Sequence, residues 1–198
     1  MTVTTTTTST TNPISSTRNQ PQKSAGTFAL DASHSHVGFA VRHMMVSNVR
    51  GEFTKLAGTV TYDAEQPEAT RVEVTIDVAS LSTREEKRDA HLRSADFFDA
   101  ENFPHIKFVS KSARRRGDGL EVVGDLTIHG TAREVKLAVE DITAEHTDPW
   151  GQKRIGASAR TKIRRSDFGM RWNAALEAGG VLVGDEISIE LEVELIRQ

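Results

Sequence analysis

From residue 27 to the C-terminus, apolar and polar residues alternate with a period of two in segment after segment. No other feature of the chain narrows its fold so much. A strand sends successive side chains to opposite faces, so this pattern describes sheets with one buried face and one wet face. In the last segment Ile187, Ile189, Leu191, Val193 and Leu195 share one face, and Ser188, Glu190, Glu192 and Glu194 share the other. Val72, Val74, Ile76 and Val78 behave likewise, as do Val37, Phe39 and Val41. The pattern returns in Leu56, Val60 and Tyr62, in Ile106 and Phe108, in Leu120, Val122, Leu126 and Ile128, in Val135, Leu137 and Val139, and between Ile155 and Ile163. These segments predict about eight strands.

Gly117-Asp118-Gly119 and His129-Gly130-Thr131 supply the turn chemistry that joins antiparallel neighbours. Ser82 paired with Glu85, or Thr83 with Glu86, offers a capping-box start for a short surface helix running to Arg93. Residues 94–104 then form an aromatic-rich crossing segment, stopped by Pro104. A sheet of this size must cover its apolar face, and one short helix cannot do it. Closure into a barrel covers the face and removes the exposed edges; a two-sheet sandwich is the rival. The reading is therefore all-β, an antiparallel barrel of about eight strands with one or two short helices. Outward faces carry Glu, Lys and Arg, which points to a water-soluble barrel and not an outer-membrane one.

Residues 1–26 hold 13 Ser or Thr and no aromatic residue, too little apolar area to offset the entropy of ordering. They read as a disordered tail, with the folded domain spanning 27–198. The run Thr4 to Thr8 is polar where a secretory signal needs an apolar stretch, so a cytoplasmic location is expected. The net charge of -3 is spread along the chain, which argues against nucleic acid as a partner. With no cysteine, disulfides and thiol chemistry are excluded.

An eight-stranded barrel is either just filled by its side chains or able to hold one small ligand, and residue volumes decide. Ala157, Ala159 and Thr161 lie in the row bounded by Ile155 and Ile163, and Gly124 lies in register with Leu120, Val122, Leu126 and Ile128. Small inward residues on two strands predict a dry cavity suited to an alkyl or prenyl chain. Phe39, Val41, Phe53 and Phe108 join Ala157 and Ala159 as candidate cavity residues. Met44, Met45, Phe97, Phe98, Phe103, Phe168, Met170 and Trp172 are candidates for its mouth. A lipid carrier's apolar mouth also makes a homodimer plausible.

Sharper chemistries find less support. His34 and His36 are two apart and would share a strand face as metal ligands, but hydrogen-bonded structural histidines are favoured and no metal is expected. No nucleophile elbow accompanies the Ser, His and Asp residues, and Asp167-Phe168-Gly169 reads as a turn. Arg114-Arg115-Arg116 is a basic hairpin tip, usually just solvated, that could touch anionic headgroups transiently.

Five blocks carry a resemblance. Residues from Asp31 to Phe39, His91 to Asp99, Phe103 to Phe108, Gly124 to Gly130 and Arg165 to Gly169 resemble, in order, the motif blocks of the YceI-like family, over residues 27–198. The resemblance implies an extended lipocalin-like barrel that binds polyisoprenoids, such as isoprenoid quinones or polyprenyl diphosphates, or fatty-acid-like amphiphiles. It implies no enzyme mechanism and no cofactor. Many relatives begin with a signal peptide and are periplasmic; the Thr-rich tail departs from that. A polar lipid head would sit at the mouth near Arg42, His43, Arg93 and Arg171. The alternatives are a filled barrel acting as an interaction or stress-related scaffold, or a metal-binding protein using His34 and His36.

Overall fold

Alternation becomes strand wherever it was strongest. The computed structural model describes residues 25–177 and 179–198. In chain order the elements are β1 (Gly26–Leu30), β2 (His36–His43), β3 (Ser47–Phe53), β4 (Leu56–Tyr62), β5 (Arg71–Asp77), β6 (Leu81–Ser82), α1 (Glu86–Arg93), β7 (His105–Arg116), β8 (Gly119–Ile128), β9 (Thr131–Glu140), β10 (His146–Thr147), β11 (Lys153–Arg164) and β12 (Val183–Arg197). The Thr-rich stretch lies outside the described residues, apart from Ala25 and Gly26, and Gly26 opens β1 opposite Tyr62.

Among the described residues every strand pair is antiparallel. The ring runs β12, β1, β4, β5, β7, β8, β9, β11 and back to β12, so eight strands close a barrel and the sandwich is excluded. The long β12 makes closure possible, because its C-terminal end pairs with β1 while the rest of that edge pairs with β2. Strands β3 and β6 extend the sheet beyond β2. Among the described residues no helix is long and apolar enough to cross a membrane.

The β7–β8 hairpin turns at Gly117-Asp118, and the β8–β9 hairpin at His129-Gly130. Both His129 and Gly130 have positive φ, 50° and 69°, which matches the right-handed twist of the flanking strands. Asp167-Phe168-Gly169 closes a 3-10 turn over Arg165–Phe168, as a turn reading requires. Val78 is buried, but it opens a 3-10 turn after β5 and does not extend the strand.

Helix α1 exists, with a different cap. Glu85 is the N-cap, and its carboxylate accepts from the N–H groups of Lys87 and Arg88 at 3.1 and 2.6 Å. Thr83 is drawn elsewhere: its N–H and hydroxyl both donate to the buried Asp89 carboxylate, at 2.8 and 2.5 Å. Tertiary burial of Asp89 thus outcompetes the local capping box and ties α1 to the chain after β6.

A second polar network fastens the start of β11. The Arg154 guanidinium donates to Asp31 at 2.6 Å, Asp148 at 2.7 Å and Glu194 at 3.1 Å. Asp31 also accepts from the Ser33 hydroxyl and N–H and contacts His34. The Ser33 and Arg154 hydrogen bonds hold its carboxyl well below the usual carboxylate range, against the opposing effect of burial.

Candidate functional site

The inward rows enclose a cavity of about 260 Å³. Its wall includes Val72, Val74 and Ile76 of β5, Leu120, Val122, Leu126 and Ile128 of β8, and Ile187, Ile189, Leu191, Val193 and Leu195 of β12. The row of β11 from Ile155 to Ile163 runs roughly 25 Å along it, at the ordinary strand rise. Among the described residues four lining side chains are polar: Tyr62, Thr70, Thr161 and Arg165. Such a wall favours hydrocarbon over water, which would find almost no hydrogen-bond partner there.

The room comes from one of the two predicted strands. Ala157 and Ala159 line the cavity, with Thr161 between Ala159 and Ile163. Gly124 does not. A Cβ built there would stand 2.7 Å from Phe108 Cζ and 2.5 Å from the Val109 carbonyl oxygen. The Phe108 ring lies over the glycine and takes its space, so Gly124 admits a neighbour and not a guest.

The aromatic and methionine candidates divide in the same way. Phe39, Val41, Phe53, Phe97, Phe98, Phe108 and Met170 line the cavity. Phe98 meets Phe53 edge-on with centroids 5.8 Å apart, closing one end from the crossing segment. Phe103 lies elsewhere, its ring against His129 at 4.8 Å. Phe168 is fully buried in the core beyond β11 and is not part of the cavity wall. Trp172 packs on His91 at 4.7 Å and Phe97 at 5.3 Å, so it supports the cover from behind. Met44 and Met45 form the β2–β3 hairpin tip with φ of 51° and 59°, exposed by 46% and 59% next to Val46 at 77%.

None of the four residues assigned to a polar head lines the cavity. Arg42 donates to the Met45 carbonyl at 2.9 Å, bracing the exposed tip. His43 ends β2 opposite Ser47. Arg93 donates to the Leu81 carbonyl and fastens α1 to β6. Arg171 is exposed. His34 and His36 do not converge: His34 lies before β2 and contacts Asp31 at 2.9 Å, while His36 contacts Glu52 at 3.2 Å. The Arg114 to Arg116 tip pairs with Glu121 and Glu68.

The charged side chain in the wall is Arg165, which the sequence reading left unassigned. A signal for it was present, since position 165 continues the odd-numbered inward row of β11. Its Nε donates to Gly184 O at 2.9 Å, Nη1 to Met170 O and Trp172 O at 2.8 Å each, and Nη2 to Val183 O at 3.3 Å. Burial lowers its pKa from the ordinary arginine value, partly opposed by the field of Asp185.

A family model described as the YceI-like domain matches residues 28–195. The protein YceI of Escherichia coli is 34% identical over 168 residues, covering 85% of this chain and 84% of that protein. Among solved structures, a Campylobacter jejuni YCEI protein is 30% identical with a TM-score of 0.66, covering 79% of this chain and 90% of the other. BcnA of Burkholderia cenocepacia has a TM-score of 0.72 at 24% identity, covering 83% and 98%, and shows a shared fold. So does a polyisoprenoid binding domain from Saccharophagus degradans implicated in plant cell wall breakdown, with a TM-score of 0.61 at 14% identity, covering 86% and 98%.

Proposed function

This chain belongs to the YceI-like family, and from that footing we propose that it binds, stores or carries a long-chain isoprenoid lipid or similar amphiphile in the barrel interior, without chemical change to it. The observation that carries the reading is the cavity wall: about 260 Å³ of space bounded almost wholly by Val, Ile, Leu, Phe and Ala. A neighbour in fold is a polyisoprenoid binding domain, which supports the same ligand class. Among the described residues the wall carries no pair of carboxylates and no nucleophile beside a base, the minimum for hydrolytic or acid–base chemistry.

Affinity is set by competition. Each buried CH₂ contributes about 0.8 kcal/mol against water, but a prenyl or acyl chain leaves a bilayer, so the net preference is a small difference between two apolar hosts. Exchange with membranes follows from that. The exposed Met44, Met45 and Val46 tip supplies an apolar contact for it, and Met45→Ser with Val46→Ser is expected to slow lipid transfer from vesicles severalfold. Unchanged transfer removes the tip from the reading.

Native mass spectrometry of freshly purified protein, followed by organic extraction, tests the function directly. A co-purifying apolar mass of several hundred daltons is the expected result. Empty protein that also takes up no isoprenoid from vesicles would leave a ligand-free scaffold as the better reading.

A further inference from the structure

Arg165 is a cation in a wall of hydrocarbon. Its residue exposure is 6%, and it is the one charged side chain among the described cavity-lining residues. Every hydrogen bond it makes goes to a neutral backbone carbonyl, of Gly184, Met170, Trp172 or Val183. A guanidinium has five N–H donors, so four such bonds leave one unspent. The nearby carboxylate does not neutralise it in contact: Asp185 accepts from the Ser166 N–H and hydroxyl at 3.0 and 2.9 Å. A buried arginine commonly meets a carboxylate or phosphate, because a charge taken out of water without a counter-charge is costly.

The other polar groups of the cavity cannot play that part. Tyr62 and Thr70 sit toward the opposite end, where β1 meets β4 and the chain enters β5, and both are neutral. Thr161 lies between Ala159 and Ile163 and is neutral as well. The wall is thus polarised: a fixed positive charge stands beside Met170 and Phe97, and away from it the described lining is uncharged and almost wholly apolar. A ligand matching both features has an acidic head and a long apolar tail, oriented one way.

We propose that Arg165 anchors the oxyanion head of the bound amphiphile, a carboxylate or phosphate ester whose tail runs along the β11 row toward Ile155. The assignment rests on the lipid-binding reading and adds to it the head-group class and the direction of the chain. A neutral quinone head gains nothing from this charge; an acid gains a charge-assisted hydrogen bond in a water-poor site.

The test uses delipidated full-length protein and two guests of equal tail, hexadecanoic acid and hexadecanol, each partitioned from phosphatidylcholine vesicles and counted by mass spectrometry. At neutral pH the acid is expected to be held at least about tenfold more tightly than the alcohol, a charge-assisted bond being stronger than a neutral one. Arg165→Lys should keep most of that ratio, and Arg165→Met should bring it near unity while alcohol binding persists. Since Arg165 also ties the 170–172 and 183–184 segments together, the methionine variant could fail to fold, and a second readout stands on the unaltered protein. The carboxyl resonance of hexadecanoic acid labelled with ¹³C at C1 is expected to titrate at lower pH in the protein than in the vesicles. Burial without a cation would shift it upward, and that outcome would overturn the anchor. Equal retention of acid and alcohol would also overturn it while leaving the lipid reading intact; retention of neither would defeat both. Inorganic phosphate should not displace the acid, and displacement would reassign Arg165 to free anions.

Discussion

The inward rows of β8 and β11 both contain positions with little or no side chain, and they end differently. On β11, Ala157, Ala159 and Thr161 face open volume. On β8, Gly124 faces the ring of Phe108 from the neighbouring strand, where Phe108 pairs with Leu126 and Ser110 with Gly124. Smallness on a strand therefore means room only when no long side chain across the ladder claims it. β11 is flanked by β9 and β12, and the aliphatic side chains of those neighbours reach the cavity wall without filling the space over the alanines.

That contrast can be broken from the β8 side first. Phe108→Ala should cost about 3–4 kcal/mol, read by urea denaturation, because it deletes a buried ring and leaves a void over Gly124. Gly124→Val should cost about 2–3 kcal/mol by the same measurement, as its Cβ would meet the Val109 carbonyl oxygen at 2.5 Å and Phe108 Cζ at 2.7 Å. If Gly124→Val were silent, the two rows would be equivalent and the distinction would collapse.

The β11 side should respond in ligand content and hardly in stability. Ala159→Phe is expected to change unfolding free energy by less than about 1 kcal/mol while reducing co-purifying lipid severalfold, measured by native mass spectrometry, because the ring enters existing space. Lipid occupancy unchanged in that variant would place the guest elsewhere. The smallest effect belongs to the fastening of β11 through Arg154. Asp31 has a folded pKa held below its unfolded value of about 3.9, so its contribution is complete above that pH and is lost as pH falls through the folded pKa. Denaturation midpoints should accordingly fall between about pH 4 and pH 2 in the native protein, and fall less steeply in Asp31→Asn.

Much of the barrel could be read from sequence because its cause is local. Ile187 to Leu195 face inward since every second residue must, whatever surrounds them. The turns at Gly117-Asp118 and His129-Gly130 were likewise fixed by nearest neighbours. Arg42, His43, Arg93 and Arg171 stand at a hairpin tip, a strand end, the α1–β6 seam and the solvent face, placements that depend on how distant segments pack and that no local pattern records. Arg165 continues the odd-numbered row of β11 as a charge, and only the packing of the 170–172 and 183–184 segments around it brings it into the wall.

By itself the sequence determined eight of the strands, though not β1, which completes the ring, and the need for the sheet to close, since these follow from the two-residue repeat and the aversion of apolar surface for water. Tertiary structure alone decided where the empty volume lies and which charge borders it. Volume at a point inside a barrel depends on side chains from several strands distant in sequence, as Phe108 over Gly124 shows, and no one-dimensional pattern records how far a neighbour's ring will reach.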